Sequence, residues 1–371
     1  MSEVQMSEAS VQVLWASFML AMAFGALAQR THFCTMGAIA DVVNMGDWER
    51  ARMWALAVAV AVLGFNSMVG LGWVEARNTL YAGPRLLWLS AVVGGTMFGF
   101  GMVLASGCGS KNLVRLGSGN LKALVVIGVL GVSGLATLRG ITAVLRVNTL
   151  ERAFVELPRG QDLPTLLAAD TGIATPALAL LLGGAVAAAL LAWVLRRPEG
   201  RTAEVLWGGV GIGAVIVALW WVSGWLGFVP EDPNTLEPAF LATNSRRMES
   251  LSMAAPVGYA IDWLLFFSDQ SKRLTLGIVC VVGVPVGAFV VAQLQGTFRW
   301  EGFGGVEDLA NHLAGAVLMG VGGVVALGCT VGQGLSGVST LSLGSLLALA
   351  SIVSGALAAL RWQSWRLEQS A

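Results

Sequence analysis

Gly99-Phe100-Gly101-Met102-Val103-Leu104-Ala105-Ser106-Gly107-Cys108-Gly109 closes one apolar run of the chain, and Gly320-Val321-Gly322-Gly323-Val324-Val325-Ala326-Leu327-Gly328-Cys329-Thr330 closes another. Three glycines, an alanine and a cysteine stand at the same offsets in both stretches. Each then passes into a polar or glycine-rich piece, Ser110-Lys111-Asn112 or Gly332-Gln333-Gly334, before apolar sequence resumes. Hydrophobic segments interrupted at corresponding places in two halves of a chain point to a transport site at a repeat interface. The two Gly-Cys breaks are therefore the expected functional centre.

The surrounding composition agrees. The 371 residues are 56% hydrophobic and only 12% charged, with a mean hydropathy of +0.74, whereas a soluble domain carries about a quarter charged residues. Apolar runs of about 18 residues recur, the length a helix needs to cross a bilayer. The expected fold is an all-α polytopic membrane protein in a lipid bilayer. Nine spans are placed at 11–28, 51–73, 86–105, 121–138, 178–195, 205–228, 274–293, 313–327 and 341–360, with short re-entrant helices and an inverted internal repeat. The first repeat half, 1–195, carries a long loop at 139–177. The second, 196–371, carries one at 230–273, whose apolar stretch 254–267 is too short to cross. Most of the 48 glycines read as close helix contacts. The zero net charge argues for no nucleic-acid partner.

Residues 1–10 hold Glu3 and Glu8 but no Lys or Arg. The basic region of a signal peptide is thus missing despite Ala26-Leu27-Ala28, and the first span reads as a retained helix. The following Gln29-Arg30-Thr31-His32-Phe33-Cys34 to Asp41 is too short and polar to span and reads as re-entrant, a conformation tolerated where backbone lines a cavity. With the N-terminus periplasmic and the C-terminus cytoplasmic, short inner segments collect Arg30, Arg50, Arg52, Lys111, Arg115, Lys122, Arg196, Arg197, Arg201, Arg299, Arg361 and Arg366. Short outer ones hold only Arg77 and Arg85. The third span then enters the Cys108 break from outside and the eighth enters the Cys329 break from inside, so the repeat is inverted. A second echo, Gly25-Ala26-Leu27-Ala28-Gln29 against Gly287-Ala288 through Ala292-Gln293, is taken to belong to the same relation.

Of four cysteines, Cys280 lies inside an apolar run and reads as a small hydrophobe. Cys34, Cys108 and Cys329 lie at breaks. No Cys-x-x-Cys or Cys/His spacing suggests a metal site, and no cofactor is expected. Short helices starting after Cys108 and Cys329 would present unpaired N–H groups and the positive end of a helix dipole, an anion site without a full charge. Glycines at 107, 109, 328 and 332 would let the backbone come close to a ligand. A thiol is a weak donor and a soft group, better matched to a sulfur-bearing anion than to sulfate or phosphate, which Arg or Lys clamps usually bind. A lowered thiol pKa at a helix N-terminus leaves redox chemistry open. Lys111 either assists the anion or snorkels inward. His32 is expected to bond a loop carbonyl, and Asp41 and Asp262 to cap helices.

The same residues carry a family resemblance. Gln29-Arg30-Thr31-His32-Phe33-Cys34 with Gly37-Ala38 and Asp41, then Gly99 through Gly109, then Gly328-Cys329-Thr330-Val331-Gly332-Gln333-Gly334, resemble the YeeE/YedE family of bacterial inner-membrane proteins. The resemblance covers essentially the whole chain. It implies thiosulfate uptake, with some members associated with other sulfur or selenium compounds. It also implies three cysteines that relay the anion through S–H hydrogen bonds, here Cys34, Cys108 and Cys329. A small TusA-like sulfur-carrier partner on the cytoplasmic side is implied as well. The expected substrate-binding set is Cys34, Cys108, Cys329, Gly107, Gly109, Ser110, Lys111, Gly328, Thr330, Gly332 and Gln333. The alternatives are a membrane thiol-redox enzyme whose cysteines cycle through a disulfide, and a transporter of a selenium compound.

Overall fold

The computed structural model describes residues 3–233 and 236–370. It is helical nearly throughout: α1 (Glu3–Arg30), α2 (Thr35–Met45), α3 (Glu49–Gly70), α4 (Trp88–Leu104), α5 (Gly109–Gly117), α6 (Leu121–Arg139), α7 (Ile141–Asn148), α8 (Leu163–Thr171), α9 (Thr175–Leu195), α10 (Ala203–Trp221), α11 (Ala254–Leu265), α12 (Leu276–Leu294), α13 (Val306–Val325) and α14 (Leu343–Ser370). Two antiparallel ladders of two residues each, Arg85–Leu86 with Val155–Glu156 and Phe228–Val229 with Ala239–Phe240, are the only named strands among the described residues. Nine helical stretches among the described residues are long and apolar enough to cross a membrane, the nine expected from sequence. The chain is an all-α, multi-pass membrane protein.

Helix α3 shows how the bilayer is matched. Its 22 residues rise about 33 Å at 1.5 Å each, against a hydrocarbon core of about 30 Å. Trp48 precedes it and packs edge-on against Trp193, while Trp73 follows it and packs on Trp225, both pairs with centroids 5.9 Å apart. Tryptophan at both ends of a span is the signature of the two membrane–water boundaries. Leu181 and Trp207 are exposed on flanking helices, as lipid-facing residues are.

Glycine sets the central contact. A Cβ on Gly94 would lie 2.5 Å from Ala326 N, one on Gly322 would lie 2.6 Å from Phe98 N, and one on Gly315 would lie 2.6 Å from Gly101 O. As α4 advances from Gly94 to Gly101, its contacts on α13 run backwards from Ala326 to Gly315, so the two helices are antiparallel. Backbones this close are the usual product of small residues in lipid. The Gly-Cys elements that end α4 and α13 thus approach from opposite faces.

The second echo does not share this relation. Cys280 and Gly283 meet Ser17 and Ala21, and Gly287 meets Met22. Both helices then end near the turn at Ser118–Gly119, through Gln29 and Arg299 respectively. Helices α1 and α12 are parallel, so the resemblance between Gly25–Gln29 and Gly287–Gln293 reflects two similar glycine-packed helix ends rather than inversion. The eighth span also differs from its expected bounds: α13 begins at Val306 and stops at Val325, because Leu327 turns left-handed with φ 57°.

Both long loops are structured. The first carries α7 and α8 and is pinned to the start of α14, where Leu163 N donates to Leu341 O (3.1 Å) and Leu343 N to Gln161 O (3.0 Å). Gln161 Nε2 donates to Gly83 O at 3.2 Å. The second enters the protein: Met248 bridges Thr79, Leu251 and Met253 are fully buried, and Ser336 Oγ donates to Leu251 O at 2.8 Å.

Candidate functional site

Three turns of one design form the site. His32, Ser106 and Leu327 adopt φ of 50°, 54° and 57°, each two residues before a cysteine. Left-handed backbone is disfavoured for residues with a Cβ by about 1–2 kcal/mol, so the packing around each turn imposes it. The cysteine that follows caps a helix. Cys34 is extended (φ −161°, ψ 120°) before α2, and Cys108 (φ −73°, ψ 175°) stands before α5. Cys329 precedes a helix over 330–339 with a π-helical interior at Gly332–Gly337. Gly37 N donates to Cys34 Sγ at 3.3 Å and Gly332 N to Cys329 Sγ at 3.4 Å, the same three-residue step. Cys108 Sγ lies 3.2 Å from Ser110 Oγ instead. Sulfur is a weak acceptor, so these caps hold the helix N-termini loosely.

All four cysteines are buried free thiols. Cys34 and Cys108 share a gap of about 10 Å³ with Thr35, Ser110 and Lys111. Cys108 is within electrostatic reach of both Cys34 and Cys329, which makes it the middle thiol of three. Cys280 stands apart, with its thiol 3.7 Å from Ser17 O between α12 and α1, as expected of a packing residue.

Lys111 interacts electrostatically with Cys34 and Cys108 and forms no ion pair or hydrogen bond among the described residues. Arg115, one turn on, donates to Ser106 O at 2.6 Å and has no acidic partner among the described residues. Asn112 Nδ2 donates to Gly107 O (2.8 Å) and Cys108 O (3.1 Å). Gln333 Nε2 donates to Ala326 O. Thr330 Oγ1 and Gln333 Oε1 are buried with no partner.

The glycines divide. A Cβ on Gly332 would lie 2.5 Å from Ser252 Oγ, so a larger residue there would have to displace Ser252. A Cβ on Gly107 or Gly328 would lie 3.2 or 3.1 Å from the stem of Lys111 or Gln333. Gly109 would accept a Cβ in ordinary contact at 3.5 Å, so close approach does not require it.

Cavities reach the turns from both ends of the helices. The larger, about 370 Å³, lies at the N-terminal ends of α6 and α13 and is lined by Ser106, Asn112, Arg115, Lys122, Arg299 and His312. The smaller, about 110 Å³, lies at their opposite ends and is lined by Tyr81, Arg146, Glu249, Ser252, Tyr259 and Leu327. The cysteine turns stand between the two.

Other expectations are corrected. Asp41 and Asp262 cap nothing. Asp41 pairs with Arg50 at 3.3 Å, and Asp262 with Arg139 at 3.2 Å and Lys272 at 2.6 Å. His32 is exposed and bonds no carbonyl, because its left-handed backbone turns it outward from the buried Phe33 and Cys34. Asn112, Arg115, Tyr81, Glu249 and Ser252 were missed by the sequence reading. Only Asn112 left a signal, since it aligns with Gln333 when the two Gly-Cys stretches are superposed.

Residues 30–358 match the family model described as sulphur transport. The chain is 25% identical over 320 residues to the thiosulfate transporter TsuA of Escherichia coli (strain K12), covering 84% of this chain and 83% of the relative. It is 26% identical over 350 residues to the thiosulfate transporter TsuA of Spirochaeta thermophila, covering 91% and 94%. A shorter match, 34% over 108 residues, joins it to the probable transporter YedE of Escherichia coli, covering 29% and 25%. With the match running through all three cysteine turns, the chain belongs to the sulphur transport, or YeeE/YedE, family.

Proposed function

We propose that this membrane transporter takes up thiosulfate, or a closely related sulfur-bearing anion, across the bacterial inner membrane, passing it along Cys34, Cys108 and Cys329. The observation that carries the reading is Lys111, a lysine beside Cys34 and Cys108 that has no acidic partner among the described residues. A helix begins just after each of the three cysteines, and its N-terminus offers partial positive charge to a passing anion. Neutral thiols offer S–H donors to a terminal sulfur, and a weak bond made in three places lets the ion move on. A doubly charged oxyanion with no soft atom would gain more from Arg forks than from thiols. The family and its relatives are transporters, which sets the thiol-redox enzyme aside.

In this reading Ser110, Thr330 and Gln333 supply polar contacts, and Gly107, Gly109, Gly328 and Gly332 give backbone access. The halves 1–195 and 196–371 act as opposed repeats, a reading supported by the antiparallel α4 and α13. The N-terminus lies in the periplasm and the C-terminus in the cytoplasm. The larger cavity, with Arg115, Lys122 and Arg299, then faces the cytoplasm and releases the ion to a TusA-like carrier.

Uptake of radiolabelled thiosulfate into proteoliposomes tests this. Thiosulfate and its selenium analogue, added unlabelled, are expected to compete, and sulfate at the same concentration is not. Absence of uptake, or equal competition by sulfate, would reject the reading.

A further inference from the structure

Glu249 has no place in the thiol path, yet it lines the smaller cavity together with Leu327, two residues before Cys329, and Tyr81, which reaches Cys329; in the proposed orientation this cavity is the outer one. It is rigidly held. Met248 N donates to Asn78 O (2.9 Å) and Leu80 N to Met248 O (3.2 Å) on one side. Ser250 Oγ donates to Ile216 O (3.0 Å) on the other. The Glu249 carboxyl accepts from Ser245 N at 2.7 Å and has no cationic partner. The groups that face it are Tyr81 from the loop after α3, Tyr259 from α11, Arg146 from α7 and the Cys280 thiol of α12. Arg146 is already paired with Glu151 at 3.2 Å. Tyr81 in turn is within reach of Cys329, and its hydroxyl lies at Gly332.

An ionised carboxylate at this point would repel a dianion on the way to Cys329. An acid in the mouth of an anion path, held in place and left without a cation, is compatible with passage only when it is neutral.

We propose that Glu249 is a proton-binding site of the outer cavity, and that an anion enters towards Cys329 only when this carboxyl is protonated. The inference rests on the anion-transport reading above. Burial pushes the Glu249 carboxyl above its ordinary value. The sign follows: the acid is neutral below its raised value and ionises as pH climbs through it, so entry slows as the solution becomes more alkaline.

The test is thiosulfate counterflow in proteoliposomes with the same pH on both sides, which removes any pH gradient and isolates the titration. Wild-type exchange is expected to be fast at low pH and to fall about tenfold per pH unit once the carboxyl ionises. Glu249→Gln, permanently neutral, is expected to hold the low-pH rate throughout. Glu249→Asp, which keeps the acid, is expected to retain the fall with a displaced midpoint. A wild-type profile that is flat, or an unchanged fall in Glu249→Gln, overturns the proposal. If Glu249→Gln fails to insert, the Asp profile decides alone: no displacement of the midpoint overturns it. Absence of wild-type counterflow at every pH would count against the transport reading instead, so the two failures are distinct.

Discussion

Asn112 and Gln333 do the same work at matched positions in the two Gly-Cys turns. Each follows its cysteine by four residues and turns a side-chain amide back onto the chain it has just left. Asn112 donates to Gly107 O and Cys108 O, and Gln333 to Ala326 O. Gly107 O lies in the turn after α4 and Ala326 O at the end of α13, where no backbone N–H among the described residues reaches them, while Cys108 O also accepts from Asn112 N at 3.0 Å. The turn is thereby tied shut from behind, with the thiol facing forward.

Asn112→Ala should therefore damage the site without touching a thiol. It strands the Gly107 carbonyl, at about 1–3 kcal/mol for a group left unpaired, while Cys108 O keeps its bond from the backbone N–H of residue 112. The expected outcome is a lower unfolding temperature in detergent and severely reduced uptake. Gln333→Ala should show the same pattern, since it likewise leaves one carbonyl, Ala326 O, unpaired. Wild-type thermal stability in Asn112→Ala would contradict the tie.

In the proposed path Lys111 attracts the ion and does not hold the fold, because it forms no ion pair or hydrogen bond among the described residues. Lys111→Gln should insert normally and raise the KM for thiosulfate about tenfold, equivalent to about 1.4 kcal/mol, with a smaller change in maximal rate. Lys111→Glu should abolish uptake. Kinetics over a range of thiosulfate concentrations checks both, and an unchanged KM in Lys111→Gln would remove the lysine from the path.

The antiparallel contact of α4 and α13 makes its own demand. A Cβ at Gly322 would meet Phe98 N at 2.6 Å and Gly94 O at 2.7 Å, and both are backbone atoms that cannot rotate away. Gly322→Ala should drive the helices apart and disturb both cysteine turns together, seen as reduced monodispersity and lost uptake. Gly109→Ala, where the added methyl finds ordinary contacts, should insert and remain stable.

Thiol labelling separates the four cysteines. In variants that each keep a single cysteine, Cys34 and Cys108 should react with a small permeant maleimide and be protected by thiosulfate, since they line a shared gap. Cys280, packed between α12 and α1, should react slowly and without regard to thiosulfate. Equal protection at Cys280 would show that the effect is not local to the path.

The spans and the paired breaks were legible because both are local patterns: length and apolarity for the spans, glycine and cysteine offsets for the breaks. Cys34 was legible as a site residue only because it interrupts an apolar run. What the sequence hid is tertiary. Glu249 and Ser252 sit in a stretch whose composition reads as surface loop, yet hydrogen bonds from Ser250 to α10 and from Ser336 to Leu251 draw it inside. Tyr81 comes inward the same way through the bridge at Thr79 and Met248. The α1 and α12 echo misled because similar glycine patterns serve parallel and antiparallel contacts alike, and only the contact order tells them apart. Asp41 and Asp262 were misread as caps because their partners, Arg50, Arg139 and Lys272, stand on other segments.

Cys108 is the middle thiol of the proposed path, so on that reading its removal breaks the path at both steps. The most direct measurement is the initial rate of thiosulfate uptake by Cys108→Ala in proteoliposomes, beside Cys280→Ala and with insertion verified for both. The account predicts uptake at the level of empty liposomes for Cys108→Ala and near wild-type uptake for Cys280→Ala. Wild-type uptake by Cys108→Ala would contradict it.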